Sequence, residues 1–214
     1  MRSTKRLSLE QLAPYLWDEK SLDQAAGLAP TVLSWRDVYA NDHPVEIEVG
    51  CGKGAFLLAA ALARPEINFF GIEIVRKYQL YVATRMAIRG LRHVRVSCAD
   101  ARALIRDRVP EASVQAIHVY FPDPWWKKRH HKRRVFTPEF VTACVHAIKP
   151  GGRVYIATDV ADYFTLMTEL CGQQPELVFQ PDASPAHDLE YLTNFERKAH
   201  EQGTPINRAV YERQ

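Results

Sequence analysis

Short apolar stretches alternate with longer amphipathic stretches through most of this chain. Seven short stretches are predicted as strands, at 45–49, 68–72, 93–98, 114–120, 154–157, 177–179 and 209–212. Helices are predicted between them, over about 55–63, 76–89, 101–106, 139–148 and 163–171. Strands that alternate with helices in this way predict an α/β fold with an open, mostly parallel sheet.

Residues 1–43 lack this alternation. They contain Pro14, Gly27 and Pro30 without a clear period, and we interpret them as an N-terminal arm or a short helical cap. Residues 44–214 then form one domain, which suits a chain of 214 residues with a single core.

Composition narrows the class of protein. Hydrophobic residues make up 47% of the chain and charged residues 25%, as is usual for a globular protein. No segment approaches the ~20 consecutive apolar residues of a membrane helix, and the first residues do not resemble a secretory signal. We therefore expect a cytoplasmic protein with no membrane partner, and nothing in the sequence indicates an obligate protein partner.

Positive charge is concentrated in one segment, although the net charge is only +3. Residues 127–134 hold six cations and two histidines without an acid. Such a patch on a nearly neutral body indicates a polyanionic partner that docks at one place. A solvated loop is the alternative interpretation.

A glycine-rich turn follows the first strand of the alternation. Gly50, Gly52 and Gly54 allow a tight turn and a close approach of the backbone to a ligand. The same spacing also fits a dinucleotide fingerprint, so an NAD-dependent oxidoreductase remains an alternative on glycines alone.

Three acids end three successive strands, namely Glu48, Glu73 and Asp100. Ligands bind at the carboxyl ends of such strands. Glu48 would repel a pyrophosphate but suits the ammonium and sulfonium of S-adenosylmethionine. Glu73 can accept both ribose hydroxyls, and Asp100 can accept the exocyclic amine of adenine. The alternative is that the three acids are merely solvated.

The fourth strand of the alternation runs into a rigid aromatic loop. Pro122 and Pro124 flank Asp123, and Trp125 and Trp126 follow. Aromatic rings can stack a base, and chemistry on a base requires that it leave its stack. Core packing is the other interpretation of the tryptophans, and we expect it to hold for one of the two. Asp123 is the candidate catalytic residue, and no metal ligand is predicted.

The segment from Phe121 to Arg134 closely resembles the signature of the bacterial tRNA (guanine-N7)-methyltransferases. The resemblance extends in the same order over roughly residues 45–213, at Glu48–Gly54, Phe70–Glu73, Ala157–Asp159 and Thr193–Glu196. It implies a Rossmann-like class I methyltransferase fold with a seven-stranded sheet and helices on both faces. It also implies methylation of guanine 46 in the variable loop of tRNA, with S-adenosylmethionine as methyl donor.

The resemblance also assigns residues to roles. The cofactor site would hold Glu48, Gly50, Gly52, Glu73, Asp100 and Asp123. Substrate contacts would come from Lys127, Asp159, Thr193, Asn194, Phe195 and Glu196. The RNA-contacting loop would comprise Arg129, His130, His131, Lys132, Arg133 and Arg134. Thr193 and Glu196 also have the spacing of a helix capping box, and cap and contact are compatible.

Two further alternatives stay open at this stage. The chain could be an RNA-binding module that kept the fold but lost the reaction, although its cofactor-side acids are intact. It could also methylate a protein or another nucleic acid, and only the resemblance argues against this.

Overall fold

A computed structural model describes residues 7–17, 32–181, 183, 199 and 201–214. Within these residues, eight strands form one sheet in the order β1-β4-β3-β2-β5-β6-β8-β7. The strands are β1 Leu16–Trp17, β2 Val45–Val49, β3 Asn68–Ile72, β4 Val94–Ser97, β5 Val114–Tyr120, β6 Ile148–Thr158, β7 Leu177–Phe179 and β8 Asn207–Arg213. Strands β1 to β6 pair in parallel, whereas β8 is antiparallel to β6 and β7. The predicted mostly parallel α/β sheet is therefore confirmed.

Seven α-helices connect or flank these strands in the described part of the chain. They are α1 Leu9–Leu12, α2 Trp35–Tyr39, α3 Ala55–Ala63, α4 Arg76–Arg89, α5 Ala101–Arg108, α6 Pro138–Ala147 and α7 Ala161–Gly172. None of the described helices is long and apolar enough to cross a membrane.

Apolar side chains fill both faces of the sheet. One core packs α2, α5, α6 and α7 against the sheet, with Ile117 and Tyr163 among its buried members. The other packs α1, α3 and α4 against the opposite face around Phe56 and Val82. Helices on both faces leave the carboxyl edge of the parallel strands as the place for a cleft.

Two differences from the sequence prediction concern the sheet. The segment interpreted as an arm or a short helical cap holds helices α1 and α2 and also supplies an eighth strand, β1, which pairs with β4 at the sheet edge. A two-residue strand carries no periodic signal, so pattern alone could not find it.

The second difference is that β6 begins at Ile148 instead of Val154. The segment Pro150–Gly152, which falls between the predicted helix and the predicted strand, lies inside β6. The β5–β6 register shifts there, between Val114 and Ala116, because a proline without an N–H and a glycine at φ +76° produce an irregularity rather than an end.

Candidate active site

The glycine turn between β2 and α3 forms one wall of the candidate cleft. The N–H groups of Gly50 and Cys51 donate to the carbonyl of Ile72 at 2.8 and 3.1 Å, which ties the turn to β3. Gly54 has φ +65°, and a Cβ there would lie 2.8 Å from Cγ1 of Val82 on α4. The turn therefore needs glycine at this position for both conformation and space.

Glu73 joins two turns at the carboxyl edge of the sheet. Its Oε2 accepts the N–H of Gly52 at 2.8 Å, and its Oε1 accepts the N–H of Val75 at 2.9 Å. The side chain is buried. A carboxylate oxygen can accept more than one hydrogen bond, so Glu73 retains lone pairs toward the cleft.

Glu48 is the second buried acid of this edge, with 4% exposure. Burial raises its pKa well above the ordinary value, and the charge of Glu73 raises it further. Its Oε2 has no hydrogen-bond partner among the described residues. A buried carboxyl with an unused oxygen and an acidic neighbour fits a cationic ligand, since a positive charge would favour the ionised form.

Asp100 has partners within the protein. Its side chain caps α5 by accepting the N–H of Arg102, and Oδ2 lies 2.8 Å from Nη2 of that arginine. The hydrogen bond from Arg102 lowers the pKa of Asp100. Asp100 is therefore ionised and partly exposed, and its contact with adenine stays a prediction.

The loop after β5 has a constrained backbone. Phe121 and Trp125 adopt φ values of +49° and +47°, which non-glycine residues seldom do. The N–H of Phe121 donates to the carbonyl of Ala157 in β6 at 2.8 Å. Nε of Arg134 donates to the carbonyl of Pro124 at 2.7 Å. The loop is thus held at both ends, and Asp123 lies exposed between them.

The basic segment, defined here as residues 127–134, includes a 3₁₀ helix over Lys128–Arg133. The guanidinium of Arg133 lies 4.9 Å from the ring centroid of Trp125, and His130 meets the same ring edge-on. None of the six cations pairs with a carboxylate in the described part of the chain. Their charge is available to an outside anion.

The expectation that one of the two tryptophans packs in the core is wrong. Trp126 is 72% exposed, and Trp125 is only partly buried, between Arg133 and His130. Strand β5 already ends at Tyr120, and the positive φ values of Phe121 and Trp125 belong to the partly exposed loop that follows it.

The other predicted substrate residues fall into two groups. Lys127 and Asp159 are exposed after β5 and β6 respectively, and since these strands are parallel neighbours, both follow the same sheet edge. Thr193–Glu196, including the predicted capping box, lies outside the described residues. No group of His, Cys, Asp and Glu able to hold a metal ion occurs among the residues that the structure describes.

Comparison with known proteins identifies the family of this chain. A family model described as "Putative methyltransferase" matches residues 42–209. The tRNA (guanine-N(7)-)-methyltransferase of Rhodopirellula baltica is 40% identical over 191 residues, which cover 85% of this chain and 70% of that protein. The enzyme of the same name from Vibrio cholerae serotype O1 (strain M66-2) is 36% identical over 188 residues, which cover 86% and 79%. The chain belongs to the tRNA (guanine-N7)-methyltransferase family.

Solved structures of other methyltransferases have the same fold as this chain. A 30S ribosomal A1408 methyltransferase from an uncultured bacterium aligns with a TM-score of 0.59 at 11% identity, covering 84% of this chain and 92% of its own. A precorrin-6y C5,15-methyltransferase from Geobacter metallireducens aligns at 0.56 and 13% identity, covering 89% and 96%. The Rossmann-like methyltransferase fold is confirmed, and the NAD-dependent oxidoreductase alternative is wrong.

The structure also contains a buried polar network that the sequence analysis did not predict. Glu46 is 3% exposed, and its two oxygens lie 2.7 Å from Nη1 of Arg64 and 2.9 Å from Nε2 of His118. Nδ1 of His118 lies 2.8 Å from the hydroxyl of Tyr120, which ends β5 directly before Phe121. The network therefore extends to the start of the Asp123 loop.

The charges of this network follow from its contacts. Burial would raise the pKa of Glu46, but His118 and Arg64 outweigh it and lower the pKa to about 2. Burial lowers the pKa of His118 despite the neighbouring carboxylate. Polar residues at inward strand positions were the available signal, but sequence could not reveal which residues pair.

Proposed function

We propose that this chain transfers a methyl group from S-adenosylmethionine to N7 of guanine 46 in the variable loop of tRNA, which gives 7-methylguanosine. Family membership supports the reaction. The observation that carries it structurally is the buried Glu48, with its unused oxygen, on the same sheet edge as the Asp123 loop and the basic segment. We expect the chain to act in the cytoplasm, where tRNA is.

Six residues would hold the cofactor in this proposal. Glu48 would face its positive charge, and Glu73 would accept the ribose hydroxyls while continuing to hold the N–H of Gly52. The remaining contacts would come from Gly50, Gly52, Asp100 and Asp123. When bound, S-adenosylmethionine supplies an electrophilic methyl group on a sulfonium, and it leaves as S-adenosylhomocysteine; no metal is invoked.

The protein's contribution to the chemistry is alignment and electrostatics. Methyl transfer would break the S–CH₃ bond and form the N7–CH₃ bond, which would leave the electron pair on sulfur and positive charge on the purine ring. N7 already carries an in-plane lone pair, so no general base has to remove a proton before attack. Asp123 would accept hydrogen bonds from the N–H groups of guanine and so orient the base. Its negative charge would stabilise the positive charge that develops on the purine ring. Asp159 would support the same charge from β6.

The RNA would be held by groups beside Asp123. Lys127 would bind a phosphate or a base oxygen, because a protonated amine cannot serve as a base. The rest of the basic segment, Arg129, His130, His131, Lys132, Arg133 and Arg134, would contact the backbone. Exposed Trp126 offers a ring for stacking a base. Thr193, Asn194, Phe195 and Glu196 would add substrate contacts.

Methyl transfer to bulk tRNA tests the proposal. The purified chain is incubated with tRNA and methyl-labelled S-adenosylmethionine, and the modified nucleotide is located by nuclease digestion and mass spectrometry. We expect label in 7-methylguanosine at position 46. Label at another base, or transfer to protein instead of tRNA, would contradict the substrate assignment; no affinity for S-adenosylhomocysteine would contradict the cofactor assignment.

A further inference from the structure

A second concentration of positive charge lies outside the proposed active site. Residues 74–99 contain six Lys and Arg and no Asp or Glu. Together with the basic segment they hold twelve of the 28 Lys and Arg and none of the 25 Asp and Glu. The remainder of the chain is therefore net negative, and the net positive charge lies in residues 74–99 and 127–134.

Helix α4 carries four of these six cations. Its inner side chains Val82, Ala83 and Met86 are fully buried in the core. Exposed side chains on its outer side and in the following turn include Lys77, Tyr78, Tyr81, Arg89 and Arg92. We call these five residues, together with Arg85, the α4 surface. It alternates cations with tyrosine rings, the combination that tracks phosphates and stacks bases.

The charge of the α4 surface is not neutralised within the protein. None of its cations forms an ion pair with a carboxylate in the ranges that the structure describes. Burial lowers the pKa of Arg85, and the charge of Arg89 lowers it further. The carbonyl of Lys53 accepts a hydrogen bond from Arg85, whose guanidinium also lies 5.9 Å from the Tyr81 ring centroid. The positive charges of Arg85 and Arg89 are thus held close together on helix α4.

The position of the α4 surface relates it to the site. Helix α4 begins at Arg76, three residues after Glu73, so its N-terminus lies at the carboxyl edge of the sheet. The bond from Arg85 to Lys53 joins the helix to the glycine turn. From Lys77 to Arg89 the helix extends ~18 Å away from that edge. The α4 surface therefore begins at the same sheet edge from which the Asp123 loop extends.

We propose that the α4 surface is a second docking surface for tRNA, distinct from the basic segment. The inference rests on the proposed function, since tRNA is the substrate there. An anionic membrane is the competing partner for a basic helix. RNA is favoured because the apolar side of α4 is buried in the core, and two of the three large hydrophobic side chains exposed on the helix are tyrosines, with Ile88 the third.

A charge-matched pair of variants tests this surface. The double variant Lys77→Gln/Arg89→Gln removes two exposed cations from it. The control Arg36→Gln/Arg106→Gln removes two exposed cations elsewhere, both in ion pairs with exposed or partly exposed aspartates, which contribute little to stability. Affinity for fluorescein-labelled tRNA is measured by anisotropy over a range of NaCl concentrations. Affinity for S-adenosylhomocysteine, the tRNA KM and kcat, and binding to phosphatidylglycerol vesicles are measured on the same samples.

The expected result is specific to tRNA binding. The Lys77→Gln/Arg89→Gln variant should bind tRNA roughly 10- to 100-fold more weakly at low salt, with a salt slope reduced by about 2. Its KM for tRNA should rise while kcat and the affinity for S-adenosylhomocysteine stay at the wild-type level. The control should change tRNA affinity less than about twofold.

Other results would overturn the inference and are distinguishable from failure of the proposed function. If wild type methylates tRNA but the two double variants behave alike, the α4 surface is only a solvated face. If the substitutions weaken binding to phosphatidylglycerol vesicles and not to tRNA, the partner is a membrane. If wild type neither binds nor methylates tRNA, the proposed function itself is wrong.

Discussion

The carboxylate of Glu73 accepts the backbone N–H of Gly52 at 2.8 Å, across from the end of β3 to the turn after β2. Its other oxygen holds the N–H of Val75. One side chain therefore joins the glycine turn to the start of the segment after β3. Its proposed bond to ribose uses lone pairs that the two backbone groups leave free.

This double role predicts the behaviour of Glu73→Gln. The amide has one acceptor oxygen, so one N–H loses its partner, at a cost of about 1–3 kcal/mol. We expect the free energy of unfolding to fall by about that amount in urea titrations, and the affinity for S-adenosylhomocysteine to fall by roughly tenfold or more in calorimetry. Glu66→Gln, at an exposed carboxylate, is the control, and equal effects of the two substitutions would count against the role.

Asp123→Asn should separate catalysis from folding. Asp123 is exposed, so the melting temperature should change little. Loss of its charge should reduce the single-turnover rate at saturating tRNA by roughly 10²-fold or more. A near-normal rate under those conditions would refute the electrostatic role.

Glu48 should release a proton when the cationic cofactor binds. Its pKa is raised in the free protein by burial and by Glu73, and a bound positive charge should lower it. Affinity for S-adenosylmethionine should therefore increase with pH between the lower pKa of Glu48 in the complex and its higher pKa in the free protein. Calorimetry in buffers of different ionisation enthalpy measures the released proton, and Glu48→Gln should abolish it. An unchanged proton count in that variant would place the titration elsewhere.

The Glu46–His118 pair should make the fold sensitive to acid. The pKa of His118 lies below its ordinary 6.5, so below about pH 6.5 the unfolded chain takes up that proton first and stability falls. The pKa of Glu46 is about 2 in the folded protein against 4.5 ordinarily, so its contribution is present above pH 4.5 and is lost as pH falls toward 2. Both groups act in the same direction.

Urea unfolding between pH 7 and pH 3 checks this sensitivity, because the contribution of Glu46 is lost only below about pH 4.5. The variant Glu46→Gln/His118→Gln should be less stable at pH 7 but lose less stability on acidification. The exposed pair Glu111 and His146, 3.6 Å apart, supplies the control Glu111→Gln/His146→Gln, which should keep the wild-type slope. Identical slopes in wild type and both variants would exclude the buried pair as the cause.

Much of the fold could be predicted because its signals are local. Strand β2 and helices α3 and α4 have the predicted bounds, and β4, α5 and α7 differ by one or two residues at an end. Such elements can be recognised from apolar runs that are bounded by glycine and proline residues. Strand β1 and the start of β6 could not be predicted, because pairing across the sheet, and not local pattern, makes those residues strands.

Some features of the site could likewise be predicted from the sequence, and others could not. Motif spacing located Glu48, Glu73 and Asp123 at strand ends, and parallel pairing brings those ends to one edge. Spacing could not reveal that Asp100 caps α5 and pairs with Arg102. It also missed the α4 surface, because its four cations, Lys77, Arg85, Arg89 and Arg92, form no compact run in the sequence until helix α4 and the following turn bring them together.

The amino-acid sequence by itself determined the order of strands and helices from residue 45 onward, the acids at strand ends, the basic segment and the family. Each of these depends on neighbours along the chain or on a motif of fixed spacing. Only the tertiary structure decided which buried groups meet: Glu46 with Arg64 and His118, Glu73 with Gly52, and Gly54 against Val82. Their charges and strain depend on distances between residues far apart in sequence, and only the packed fold sets those distances.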